Sequence, residues 1–313
     1  MIRITAGALA RFTEQAAKIA NRAMPIMAAT KINSCGAAIH LNAAGLECRF
    51  MQAIYSGADE NEKVSLALDS EILYRISKSL DPDLVLEIAP KKKNNAVVYD
   101  PAGAFSYDVA GLAPYDFPEW REANREEHPE RNIRTREFFE AIDSVAYAVA
   151  KSDPRRVFTG VAIFLDGSTV LACGTDGKML AVARREIPAV DPDYRASIVL
   201  PLSAVARLRE FAGGSATKPE SEFGLSIEEG FLRASGENAD GNWLFEASAI
   251  EGHYPNFAAV IPKNPHPVAK VDRAELLAQI HRARAILNDP NAPVVFRFCN
   301  QEMRVEGVSF DHG

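Results

Sequence analysis

Three stretches of this chain repeat apolar residues at helical spacing. In the first, Leu9, Phe12, Ala16, Ile19 and Ala23 fall on one face. In the second, Phe138, Ile142, Val145 and Val149 do the same behind Thr135, a candidate N-cap. In the third, Leu276, Ile280, Ala283 and Leu287 follow Asp272, with Glu275 at capping-box spacing. Strand-like sequence comes after each. In the second copy, residues 161–165 and 170–173 turn back around Asp166-Gly167, a pair favoured in tight hairpins. Further helices are expected around 69–80 and 201–212, where Pro201 suits a first helical turn. Strands are expected over 225–227, 231–234 and 243–250.

These elements recur in one order. Helix, hairpin and second helix close on Tyr115-Asp116-Phe117-Pro118 in the first copy and on Gly252-His253-Tyr254-Pro255 in the second. The closing prolines set a repeat of about 130 residues, a usual domain length. The competing reading, two unrelated α+β domains, leaves that common order unexplained. The pattern therefore predicts an α+β chain with domains over 1–120 and 135–262 and a partial third copy over 268–313. A charged linker over 121–134 and a proline-rich one, Pro262-Lys263-Asn264-Pro265-His266-Pro267, separate them. The third copy lacks a counterpart of the second helix and later strands. A fragment of that size buries too little surface to be stable by itself, so it must lean on another copy or another chain.

Composition narrows the class. The 313 residues are 47% hydrophobic and 25% charged, an ordinary globular balance. No apolar run reaches the ~18 residues of a membrane span, and Met1-Ile2-Arg3-Ile4-Thr5 is no signal-peptide core. The expected location is cytoplasmic, with no membrane partner. Cys35, Cys48, Cys173 and Cys299 lack metal-ligand spacing, and the six histidines are scattered, so no metal or cofactor is expected. A net charge of −7 argues against a generic nucleic-acid binder. It leaves room for a protein whose basic residues gather on one surface. Cys173, Asp176 and His253 match no hydrolase arrangement, and neither a Gly-x-Ser-x-Gly elbow nor a phosphate-binding glycine loop is present. Intrinsic catalysis is not expected.

The run Cys173-Gly174-Thr175-Asp176-Gly177-Lys178-Met179-Leu180-Ala181, then Ser197-Ile198-Val199-Leu200-Pro201, then Ile250-Glu251-Gly252-His253-Tyr254-Pro255-Asn256-Phe257, resembles the middle domain of the bacterial DNA polymerase III beta subunit, the sliding clamp. The resemblance covers nearly the whole chain and is strongest from about residue 135 to 290. It implies tandem repeats of the DNA-clamp (processivity fold) domain, two complete and a third partial. It also implies an accessory subunit that encircles duplex DNA without reading sequence and closes as a head-to-tail homodimer. Such a ring tethers DNA polymerase III alpha and clamp-loader subunits, so polymerase activity belongs to the chain only by association. An acidic exterior with a mildly basic lumen suits sliding, because each neutralised phosphate strengthens attachment.

Three sites follow from the resemblance. A peptide-binding groove maps to Phe158, Thr175, Gly177, Lys178, Met179, Leu180, Pro255, Ala259 and Val260. A dimer interface maps to Phe105 and Tyr107 on one side and Ile286 and Leu287 on the other. DNA contacts map to Lys18, Arg22, Lys78, Lys151, Arg155, Arg207 and Arg282. Clamps of this kind often carry arginine where this chain has Met179 and Ala259, which implies a more apolar groove. The rest of the groove and of the third domain has no counterpart here. That motivates an alternative, a monomeric clamp-like interaction module that binds clamp partners without encircling DNA. Solution mass separates the two readings.

Overall fold

The computed structural model describes residues 1–35, 38–55, 63–121, 130–187, 193–213, 221–264, 269–285, 287, 292–299 and 302–308. The chain divides into two units, Met1–Pro255 and Asn256–Gly313.

In the first unit, β1 (Ile2–Thr5) runs into α1 (Ala6–Ile19). The Thr5 hydroxyl accepts from the Ala8 N–H and so satisfies one of the donors a helix start leaves open. Leu9, Phe12 and Ala16 are buried, as their spacing predicts, whereas Ala23 lies beyond the helix end. Strands β2 (Ala29–Cys35), β3 (Ala38–Ala44), β4 (Cys48–Tyr55) and β5 (Ser65–Asp69) follow. Asp69 then caps α2 (Ser70–Lys78) by accepting the Ile72 N–H at 2.8 Å. Strands β6 (Val85–Pro90), β7 (Ala96–Tyr99), β8 (Ser106–Val109) and β9 (Gly111–Leu112) complete the first repeat.

The second repeat opens with β10 (Arg131–Arg134) and α3 (Thr135–Ala146). Its helix starts one residue earlier than the sequence suggests. Arg134 is the N-cap, without a side-chain hydrogen bond, and Thr135 is already helical. The reason is the sheet. Arg134 stays extended because it pairs with Glu222, and the Thr135 N–H is taken by Ser221 O at 2.9 Å. The Thr135 hydroxyl is left buried with no partner among the described residues. Strands β11 (Gly160–Asp166) and β12 (Thr169–Thr175) form the expected hairpin, turning at Gly167-Ser168 with Gly167 at φ +55°. Strands β13 (Leu180–Glu186) and β14 (Arg195–Pro201) lead to α4 (Leu202–Ala212), where Pro201 is the N-cap and not part of the first turn. Strands β15 (Glu222–Glu228), β16 (Phe231–Asn238) and β17 (Gly241–Ser248) close the repeat.

Sheet order displays the repetition. The first copy contributes β1-β6-β7-β8, and the second the equivalent β10-β15-β16-β17. Likewise β5-β2-β3-β4 corresponds to β14-β11-β12-β13. The two copies are fused because β17 pairs antiparallel with β4, from Asn242 opposite Ala53 to Ala247 opposite Cys48. A nine-stranded sheet results, β10-β15-β16-β17-β4-β3-β2-β5-β9. Aromatic rings cross this joint beneath the sheet. Phe50 of the first copy lies 5.3 Å from Phe12 and 4.5 Å from Phe211 of the second, and Phe211 contacts Trp243 and Phe245. Phe50 and Phe245 are fully buried, so one core serves both copies.

The second unit holds a 3₁₀ turn over Phe257–Val260, α5 (Arg273–Arg284) and the hairpin β18 (Val294–Cys299) with β19 (Glu302–Gly307). Asp272 caps α5 by accepting the Glu275 N–H at 2.9 Å, as its spacing predicts. A Cβ on Gly307 would lie 2.4 Å from the Ala283 carbonyl, so glycine is what lets β19 lie against α5.

Candidate functional site

The four-residue turn between β12 and β13 is built by two side chains. Thr175 Oγ1 donates to Met179 O at 2.6 Å and accepts from the Gly177 N–H at 3.0 Å. Asp176 Oδ1 accepts from the Lys178 N–H at 2.9 Å and the Met179 N–H at 2.8 Å. These amide donors, Met179 first, hold the Asp176 carboxyl below its usual range. Gly177 takes φ +84°, which side-chain-bearing residues rarely adopt. The turn projects Lys178 and Met179 outward, Met179 being 47% exposed, and leaves Leu180 half-buried opposite Thr175.

Acid should loosen this turn. A carboxyl whose folded pKa is depressed contributes stability that is complete above its unfolded pKa and is lost as pH falls through the folded one. Amide exchange at Lys178 and Met179 is therefore expected to rise, relative to neighbouring strands, below the ordinary carboxylate range. Asp176→Ala should abolish that pH dependence. An unchanged profile in the variant would remove Asp176 from this role.

Phe158 lies beside the turn, 6% exposed, in the 3₁₀ segment Arg156–Thr159 that precedes β11. Its ring meets Tyr254 edge-on at 6.4 Å, and the Arg155 guanidinium stands 4.0 Å above its centroid. The Tyr254 hydroxyl donates to Cys173 O at 3.2 Å, and burial pushes its pKa upward. Thus Phe158, Thr175, Gly177, Met179 and Leu180 are brought together, with exposed Pro255 next in the chain after Tyr254. Ala259 and Val260 lie exposed in the second unit. Sequence reasoning did not assign Tyr254 to the site. Its signal lies in the aromatic-proline closure, which marks the repeat and carries part of the resemblance. Arg155, expected at the DNA surface, stacks on Phe158.

The interface candidates divide. Phe105 is half-buried, and Tyr107 on β8 is 42% exposed, their rings 5.3 Å apart. Strand β8 is an edge of its sheet. Leu287 is half-buried in the second unit near Gly307, and Ile286 lies outside the described residues.

Of the basic candidates, Lys18, Arg22 and Arg207 line one cleft of about 560 Å³ with Glu47, Glu71 and Ser203. Each has a carboxylate at hand. Lys18 is 3.2 Å from Glu14, Arg22 pairs with Glu71, and Arg207 is 3.8 Å from Glu210 and donates to Gln15 at 2.7 Å. Lys78 stands 5.1 Å over the Tyr74 ring, Lys151 is exposed after α3, and Arg282 is exposed on α5. Among the described residues, no three His, Cys, Asp or Glu side chains gather to hold a metal ion, and no helix is long and apolar enough to cross a membrane.

Residues 132–256 match the family described as DNA polymerase III beta subunit, central domain. The beta sliding clamp of Pseudomonas aeruginosa is 22% identical over 253 residues, covering 79% of this chain and 64% of that protein. The chain thus spans a little under two thirds of that relative's length. A crystal structure of the DNA polymerase III subunit beta from Pseudomonas aeruginosa superposes with a TM-score of 0.82 at 20% identity, covering 98% of this chain and 83% of that one. The Helicobacter pylori beta clamp bound to a DNA ligase peptide gives 0.76 at 14% identity, covering 98% and 83%. The fold is the α+β clamp fold.

Proposed function

We propose that this chain, a divergent relative of the DNA polymerase III beta subunit through its central domain, is a DNA sliding clamp. In this reading it encircles duplex DNA, makes and breaks no covalent bond, and tethers a replicative polymerase and clamp-loader subunits through the groove around Phe158. The match of residues 132–256 to that family's central domain carries the proposal. The repeats over 1–120 and 135–262, with a third beginning at 268, are its working parts.

The repeat also supports ring closure. Repeats join where a β17-type edge meets a β4-type edge. The first copy's equivalent of β17 is β8, whose outer edge has no partner strand among the described residues, so it suits a β4-type strand of another chain. Likewise β13, the equivalent of β4, is an open edge on the second copy among the described residues. The basic residues at the α1–α4 cleft each stand beside a carboxylate, which suits a surface that touches phosphates without gripping them. The groove reading draws on the H. pylori clamp, whose structure holds a peptide, and on the apolar Phe158 and Leu180 here with exposed Lys178 in the neighbouring turn. Buried apolar anchors supply most of the affinity in such contacts.

Light scattering across concentrations from below to above micromolar tests the proposal. A mass of two chains is expected, together with longer residence on closed circular DNA than on the linearised form. A monomer throughout would overturn the ring in favour of an interaction module.

A further inference from the structure

We propose that β8 of one chain pairs antiparallel with β13 of a second copy, with Tyr107 standing opposite Ala181. The inference rests on the ring reading above and names both edges of its closing joint.

The internal repeat sets the register. In the first copy Ile4 pairs with Leu86, and two residues on, Ile88 pairs with Val98, which pairs with Tyr107. In the second copy Ile133 pairs with Phe223, and two residues on, Leu225 pairs with Ala234, which pairs with Phe245. Ile4 and Ile133 each stand two residues before a helix start, so Tyr107 occupies the place of Phe245. The other edge follows in the same way. Ala67, two residues before the α2 cap, leads through Lys31 and Asn42 to Met51. Val199, two residues before the α4 cap, leads through Ala162 and Cys173 to Val182. Ala181 therefore occupies the place of Phe50. The internal joint sets Phe245 opposite Phe50 and Leu244 opposite Met51. The same joint between chains sets Tyr107 opposite Ala181, Ser106 opposite Val182 and Asp108 opposite Leu180.

The side chains suit that register. On one face Phe105 and Tyr107, their rings 5.3 Å apart, meet Ala183 and Ala181, large residues against small ones. On the other face Ser106 covers the exposed Val182, and Asp108, already paired with Lys91, meets no second carboxylate. Neither β8 nor β13 has a partner strand on its outer side among the described residues. One edge of each kind on every chain makes the contact head-to-tail, and it propagates until the assembly closes.

Cysteine cross-linking of the full chain tests the pairing. Ser106→Cys chains are mixed with Val182→Cys chains, both carrying Cys299→Ser to remove an exposed native thiol. Facing strand positions bring their Cβ atoms within disulfide reach. Under mild oxidation the mixture is expected to form a covalent two-chain species roughly tenfold faster than either chain alone. Ser106→Cys mixed with Arg184→Cys, two residues out of register, should lag behind it. Val182→Asp, at an exposed position and with its fold checked by circular dichroism, should weaken self-association by roughly tenfold. Faster linking through position 184 overturns the register. Equal rates in all mixtures, or unchanged association of Val182→Asp, while light scattering still gives more than one chain, overturn the pairing and leave the ring to another edge. A monomer at every concentration removes the ring and this pairing together.

Discussion

Glu246→Ala is expected to destabilise the first unit by about 3–5 kcal/mol, the cost of removing one partner from a buried charge network. Glu246 is 2% exposed on β17, directly opposite Arg49 of β4. Its Oε2 lies 2.8 Å from Arg49 Nε, and its Oε1 accepts from Arg233 Nε at 3.0 Å. Arg233 is itself only 6% exposed and also faces Glu228 at 3.6 Å. Burial pulls the Arg49 pKa down and the Glu246 charge opposes that pull, as expected of a cation partly removed from water. Alanine at 246 would leave buried Arg233 with Glu228 alone and half-buried Arg49 without its carboxylate.

The arginines also fasten the chain that leaves the first copy. Arg49 donates to the Glu119 carbonyl, and Arg233 Nη2 donates to the Arg121 carbonyl at 2.7 Å. Trp120 between them lies under the Arg49 guanidinium and donates to Asn42 Oδ1 at 3.1 Å. The loss should therefore appear first at the joint, as faster amide exchange along 48–55 and 241–248 than along β11 and β12. Urea unfolding measures the magnitude. A change below about 1 kcal/mol would place Glu246 with ordinary surface charges.

That network explains what the sequence conceals. The period of Leu9, Phe12 and Ala16 and the turn after Asp166 are local signals, and both reappear in the structure. Fusion of the copies through β4 and β17 has no local signal, because the paired residues stand nearly two hundred positions apart and each strand reads as ordinary alternation. Arg233 and Glu246 look like solvent-facing charges on exposed faces of two strands. They are buried against each other, and the Arg121 carbonyl takes a further N–H of Arg233. The Thr135 cap fails for a related reason, since a sheet pairing outweighs local capping preference. At the candidate site, Thr175, Gly177 and Leu180 were legible because they are neighbours in one turn. Arg155 is expected at the DNA surface from the resemblance and its charge, whereas in the structure Asp153, two residues earlier, holds its guanidinium.

If the chain closes the proposed two-chain ring through β8, Tyr107→Asp is expected to yield single chains and to shorten residence on circular DNA, while leaving the fold within about 0.5 kcal/mol of wild type. Tyr107 faces outward on β8, so its loss opens no cavity, whereas half-buried Phe105 would confound assembly with folding. The residue pairs with Val98 on one side, and its other side belongs to the edge whose counterpart in the second copy, β17, is occupied by β4. If repeats join everywhere by the same edges, a buried carboxylate introduced at that edge meets a desolvation penalty only when another chain docks. The isolated protein does not feel it. Peptide binding around Phe158 serves as the internal control, because that site lies in the second copy and does not include β8. Loss of ring retention with intact peptide affinity would separate topology from partner capture. A variant that stays at two chains would show that β8 is not the closing edge, and the joint between β4 and β17 would then be particular to this pair of repeats.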